Sequence, residues 1–146
     1  MSASLFEHAV VPVASPEDTE ATMRAVRPYL ESVGGEATVI NVIEKAGGAP
    51  DKASVAQREE YAREMFAVAR EEMANSALAL TTEIRYGTDV AETIIDAAHE
   101  IDASAIVFTP RESSRWVRLL TGDVALSLVS DSDVPVITLP EAKAND

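Results

Sequence analysis

The segment Thr109-to-Val124 reads TPRESSRWVRLLTGDV and gathers Arg111, Arg115 and Arg118 within eight positions, in a chain with 12 basic residues against 25 acidic ones. Guanidinium groups at that density, just ahead of Gly122 and Asp123, suit the grip of a phosphate or carboxylate, because their planar forks donate paired hydrogen bonds. The other reading is a solvated loop in which the arginines pair with Glu112, Asp123 and neighbouring acids. Each such exposed pair is worth about 0–1 kcal/mol. Trp116, the only tryptophan, stands between the arginines and can either stack on a base or anchor the segment to the domain body.

Other chemistry is sparse. His8 and His99 are the only histidines, and no third ligand has suitable spacing, so no metal site is expected. The chain has no cysteine, which excludes disulfides, thiolate zinc sites and a cysteine nucleophile. No G-x-S-x-G elbow, Walker loop or G-x-G-x-x-G occurs, and each of the six glycines falls at a turn. Ser113 and Ser114 could accept a phosphoryl group or be ordinary loop hydroxyls.

At 146 residues the chain suits one domain, burying about 68–70% of the surface it exposes when unfolded. A formal net charge of -13 and a pI near 4.5 argue against a nucleic-acid surface and against anionic membranes. MSASLFEHAVVPVA lacks a basic n-region and a long apolar run, so neither a signal peptide nor membrane insertion is expected, and the protein should be cytoplasmic.

The elements that must hold the arginines alternate along the chain. AVVPVA, Ala9-to-Ala14, is the kind of continuous apolar run that a strand buried on both faces requires. Ser15-Pro16-Glu17-Asp18 starts a helix with a stripe of Met23, Val26, Leu30 and Val33, which ends at Gly34-Gly35. Pro28 should kink it. ATVINVI, Ala37-to-Ile43, is a second strand, and Lys45-to-Ala53 is a flexible loop. Ser54-to-Gln57 reads as a capping box for a helix with Ala62, Met65, Phe66, Ala69 and Met73 inward. Leu78-to-Tyr86 alternates as an edge strand should, and Gly87 ends it.

Asp89 then opens a helix with Val90, Ile94, Ala97, Ala98 and Ile101 inward. Ser104-to-Phe108, SAIVF, is a second doubly buried strand. Gly122-to-Val129 is a fourth helix, Val134-to-Leu139 a fifth strand, and residues 141–146 a tail beyond a domain of residues 1–140. The pattern predicts an α/β fold, one doubly wound sheet of five mainly parallel strands with four helices. With AVVPVA and SAIVF as its central pair, the order reverses between them. A ligand crevice is then walled by Ala14-Ser15 and Thr109-to-Gly122.

The succession AVVPVA, TVINVIE, RYGTDVAETIIDAAHEIDASAIVFTP and LLTGDVALSLVSDSDVPVITL resembles the universal stress protein family from end to end. That resemblance implies a Rossmann-like sheet of order 3-2-1-4-5, of the adenine nucleotide alpha hydrolase type. It also implies ATP as a possible cofactor, held by an Asp after the first strand and by a loop of spacing G-x2-G-x9-G-[S/T]. Of those five positions, which fall on Ala14, Thr109, Glu112, Gly122 and Asp123, only Gly122 matches. Pro12 and Val42 match positions that line the family's pocket, and Phe108 and Val124 flank the loop.

The departures weaken a phosphate site. Thr109 and Glu112 cannot give the close backbone approach that glycine allows, and Asp123 supplies the last helix with an anion of its own. The resemblance further implies a homodimer through Val134-to-Leu139. The expected function is a non-enzymatic, dimeric regulatory protein with weakened or lost ATP binding. The alternative is an ATP-binding, slowly hydrolysing switch in which Arg111, Arg115 and Arg118 replace the lost glycines. A regulatory partner of a membrane transporter is the third reading that family analogy permits.

The charge itself makes a prediction. An acidic chain with Lys45, Lys52 and Lys143 as its only lysines fits a salt-loaded cytosol, because salt screens its self-repulsion. Its melting temperature should rise as KCl is added, and a flat or falling series in scanning calorimetry counts against the adaptation.

Overall fold

A computed structural model describes residues 4–45, 52–109 and 123–140, with the backbone alone for residues 52, 53 and 123–125. The elements run β1 His8–Pro12, α1 Pro16–Val33, β2 Glu36–Glu44, α2 Lys52–Glu72, β3 Ala79–Gly87, α3 Val90–Glu100, β4 Ala105–Phe108, α4 Asp123–Asp131 and β5 Val136–Thr138. Five strands pair in parallel in the order β3-β2-β1-β4-β5. The expected class, order and reversal between the first and fourth strands are all present. The expected flexible loop and C-terminal tail lie largely or wholly outside the described residues.

Side-chain alternation sends the two faces of each strand to different helix layers. Ala9, Val11, Val39 and Val107 face α1 and α2, meeting Met23, Val26, Leu30, Met65 and Phe66. Val10, Ile40, Ile106 and Phe108 face the other layer, meeting Ile94, Ala97 and Ala98 of α3 and Leu128 of α4. Each large side chain so buried contributes about 1.5–3 kcal/mol.

The signals that end and start α1 work as read. Ser15 is extended at φ -157, and its hydroxyl accepts from the Asp18 N–H at 3.1 Å. At the other end Gly34 takes the left-handed conformation, φ +64, and the Gly35 N–H reaches the Leu30 carbonyl at 2.9 Å. A Cβ on Gly35 would stand 1.9 Å from the Phe6 carbonyl oxygen. Only glycine lets the chain turn there so close to the segment that leads into β1.

Several boundaries differ from the sequence reading. Strand β1 ends at Pro12 instead of Ala14, although the Val13 N–H still donates to the Ile40 carbonyl at 2.9 Å. Helix α2 starts at Lys52, so Ser54 lies inside its first turn and is no cap. Helix α4 runs to Asp131. Val33, expected on the buried stripe, is 48% exposed as the last residue of α1. Strand β5 has three residues, not six, yet its contact with β4 extends further through Ile106 N–H to Pro135 and Leu139 N–H to Phe108. Helix α1 continues past Pro28, which sits on its solvent side, where water can satisfy the Arg24 carbonyl that the ring leaves without its N–H partner.

Candidate functional site

Strands β1 and β4 pair only at Ala9–Ala105 and Val10–Ile106. Beyond that point each holds to its outer neighbour alone. β1 follows β2 through Pro12–Ile40, and the Asn41 amide donates to the Val13 carbonyl at 2.8 Å. β4 follows β5 through Phe108–Thr138, and the Leu139 N–H donates to the Phe108 carbonyl at 2.9 Å. Strand order reverses where the two diverge, which is where a crevice is expected in an open parallel sheet. Their amino ends are clasped: the His8 N–H donates to the Ser104 hydroxyl at 2.9 Å, and the Ser104 N–H donates to the His8 carbonyl at 2.8 Å.

One wall of the crevice is polar and closed. Asp18, Thr19, Thr22 and Thr109 are fully buried, and Ser15 nearly so. The Thr22 and Thr109 hydroxyls share a hydrogen bond of 2.6 Å across α1 and the end of β4, and the Thr19 hydroxyl donates to the Ser15 carbonyl at 2.7 Å. Buried hydroxyls need such partners, because a donor or acceptor left unmatched costs about 1–3 kcal/mol. Thr109 therefore turns its side chain under α1.

The opposite side offers main-chain chemistry. The Ile40 carbonyl faces β1, since it accepts from Val13. Backbone groups two residues apart in a strand point the same way, so the N–H and C=O of Val42 project past the end of β1 into the crevice. A donor and an acceptor side by side on one strand edge match a planar heterocycle with an amino group next to a ring nitrogen.

Of the residues singled out from the sequence, Ala14, Val42 and Phe108 meet in one packed cluster, Pro12 is the last residue of β1, and Thr109 lies under α1. Asp123 and Val124 are the first two residues of α4. Glu112, Arg111, Arg115, Arg118, Trp116 and Gly122 lie outside the described residues. Asp18, Thr22 and Asn41 were missed. Thr19 and Thr22 share the spacing of the apolar stripe at Met23, Val26 and Leu30, which marks them as inward-facing, so that signal was present.

Polar groups elsewhere serve other ends. The His99 imidazole meets the Asp133 carboxylate at 2.5 Å on the surface, and His8 bonds the Thr38 hydroxyl at 2.9 Å. A recess of about 270 Å³ between α3 and α4 is lined by Asp89, Glu92, Asp131 and Ser127, a lining hostile to phosphate. No cluster of three or more metal-binding side chains occurs among the described residues, and no described helix is long and apolar enough to cross a membrane.

A family model described as Universal stress protein family matches residues 5–140. No curated protein matches the sequence. Among solved structures, the chain is similar to a universal stress protein from Archaeoglobus fulgidus in complex with dAMP, at 20% identity and TM-score 0.67, covering 93% of this chain and 99% of that one. A protein of the same family from Burkholderia pseudomallei gives 22% and 0.71, covering 95% and 99%. One from Arabidopsis thaliana with AMP bound gives 15% and 0.64, covering 92% of both. At these identities the likeness is one of fold.

The hydroxyl pair makes a prediction. Thr22→Val and Thr109→Val should each lower stability by about 1–3 kcal/mol, while the double variant loses clearly less than the sum, because neither hydroxyl is then left without its partner. Urea denaturation of the four proteins measures the coupling, and strict additivity would refute the pairing.

Proposed function

Because the chain belongs to the universal stress protein family, we propose that it is a non-enzymatic, dimeric regulatory module of the cytosol whose switch-point crevice reads an adenine base but holds nucleotide phosphates weakly. The observation that carries this reading is the pair of positions where the family presents an Asp and a glycine. Here they are Ala14, buried among apolar side chains, and Thr109, whose hydroxyl is engaged by Thr22. The first cannot hydrogen-bond a ligand through its side chain, and the second carries a Cβ where phosphate loops need bare backbone. The neutral edge of Val42 remains to meet a base. The related proteins solved with dAMP and AMP support a ligand that carries an adenine base.

The dimer reading rests on the contrast between the two sheet edges. At the β3 edge Arg85 pairs with Glu83 and Glu100 at 2.8 Å each, and the Tyr86 hydroxyl donates to Glu59. These bonds raise the Arg85 pKa, chiefly through Glu100, and the Tyr86 pKa, chiefly through Glu59. Charged edges resist strand addition. Strand β5 carries no charge. A recess of about 330 Å³ beside it is lined by Val129, Ser132, Asp133, Val134, Pro135 and Val136, and Leu126 and Val129 are exposed on α4.

Two measurements test these readings. In high salt, calorimetric titration with Mg-ATP should show an affinity weaker than micromolar, with Asp123→Ser gaining affinity as the last helix loses the anion at its start. Micromolar binding by the unaltered chain would instead support the switch in which Arg111, Arg115 and Arg118 grip the phosphates. Light scattering at micromolar concentration should give a dimer, and Val129→Glu should weaken association about tenfold or more. A monomer refutes the assembly.

A further inference from the structure

Resting on the reading of an adenine site, we propose that the crevice selects an adenine compound of little or no negative charge, a nucleoside in preference to its di- or triphosphate. In open parallel sheets the phosphates of a bound nucleotide meet the amino ends of the helices that open on the crevice. Two helices follow the strands that flank it, α1 after β1 and α4 after β4, and both carry acid in the first turn.

In α1 the Ser15 hydroxyl already accepts the Asp18 N–H, and Glu17 and Asp18 occupy the first turn. They answer the helix dipole from within the chain. Asp18 is fully buried. It stands one turn before Thr22 on the same helix face, toward the carboxyl end of the sheet. A buried carboxylate demands a compensating cation or donors, and whatever group compensates Asp18 is thereby engaged and withdrawn from a ligand's phosphate. Glu17 is exposed in the same turn, and the first residue of α4 is Asp123. The base-reading edge of Val42 is neutral by contrast. Across a chain of net charge -13, each added phosphate therefore works against binding, whereas the base does not.

The test titrates the intact chain calorimetrically with adenosine, AMP, ATP and guanosine. At about 0.1 M KCl, where charges are felt over about 10 Å, adenosine should bind at least about tenfold tighter than ATP, with AMP between. At about 1 M KCl, where that range falls to about 3 Å, the gap should narrow. Glu17→Gln should narrow it as well, and so should Asp18→Asn if circular dichroism shows it folded. ATP binding tighter than adenosine overturns the inference and leaves the adenine reading standing. Guanosine binding as tightly as adenosine, or no binding by any of the four, overturns the adenine reading and the inference with it.

Discussion

Parallel strands β1 and β4 share only two residue pairs, Ala9–Ala105 and Val10–Ile106, before each leaves for its outer neighbour. That short ladder shapes the whole carboxyl end of the sheet. Strand β1 is buried on both faces and cannot offer its backbone to water, so its exit is secured by β2 through the Ile40 carbonyl and the Asn41 amide. β4 is secured by β5 in the same way. The divergence leaves a cleft between two strands whose own polar groups are satisfied. Its chemistry therefore comes from the residues just beyond the strands and from the one strand edge, at Val42, that outruns its partner.

Those residues are unusual in being closed and acidic together. Hydroxyls that could have met a ligand meet each other, as Thr22 and Thr109 do at 2.6 Å. The helices that could have presented bare amides begin with Ser15-Pro16-Glu17-Asp18 and with Asp123. The features that make α1 easy to find from sequence, an N-cap hydroxyl and acids in the first turn, are the same ones that use up its capacity for an anion. Good capping and good phosphate binding compete for the same N–H groups.

Much of the fold was legible because its signals are local. Apolar runs marked β1 and β4, Ser15 and Asp89 marked helix starts, and Gly34 and Gly87 marked ends, each for a reason that acts within a few residues. Boundaries failed where neighbours decide them. Ser54 looks like a cap, but the helix has already begun at Lys52. VPVITL reads as six strand residues, but only three complete the ladder with β4. The site was legible in part. Ala14 and Thr109 were read as crevice walls from the order of the strands, and Val42 and Phe108 were named through the family resemblance, whereas the bond between residues 22 and 109 joins positions far apart in sequence. Only the spacing of Thr19 and Thr22 on the buried stripe hinted at it. Asp18 shares that spacing, one turn before Thr22, but an acid in a first turn ordinarily faces water.

The Ser104 clasp has a mechanical meaning. Its hydroxyl donates at 2.8 Å to the Leu5 carbonyl and lies 3.0 Å from that of His8, while its N–H donates to His8 at 2.8 Å. The amino ends of the two middle strands are thus riveted together, and the strands diverge like scissor blades from that rivet. Sliding one blade along the other would break the rivet. A wider or narrower mouth must come from a change of angle about it, so a small rotation near Ser104 becomes a larger displacement at Ala14 and Thr109.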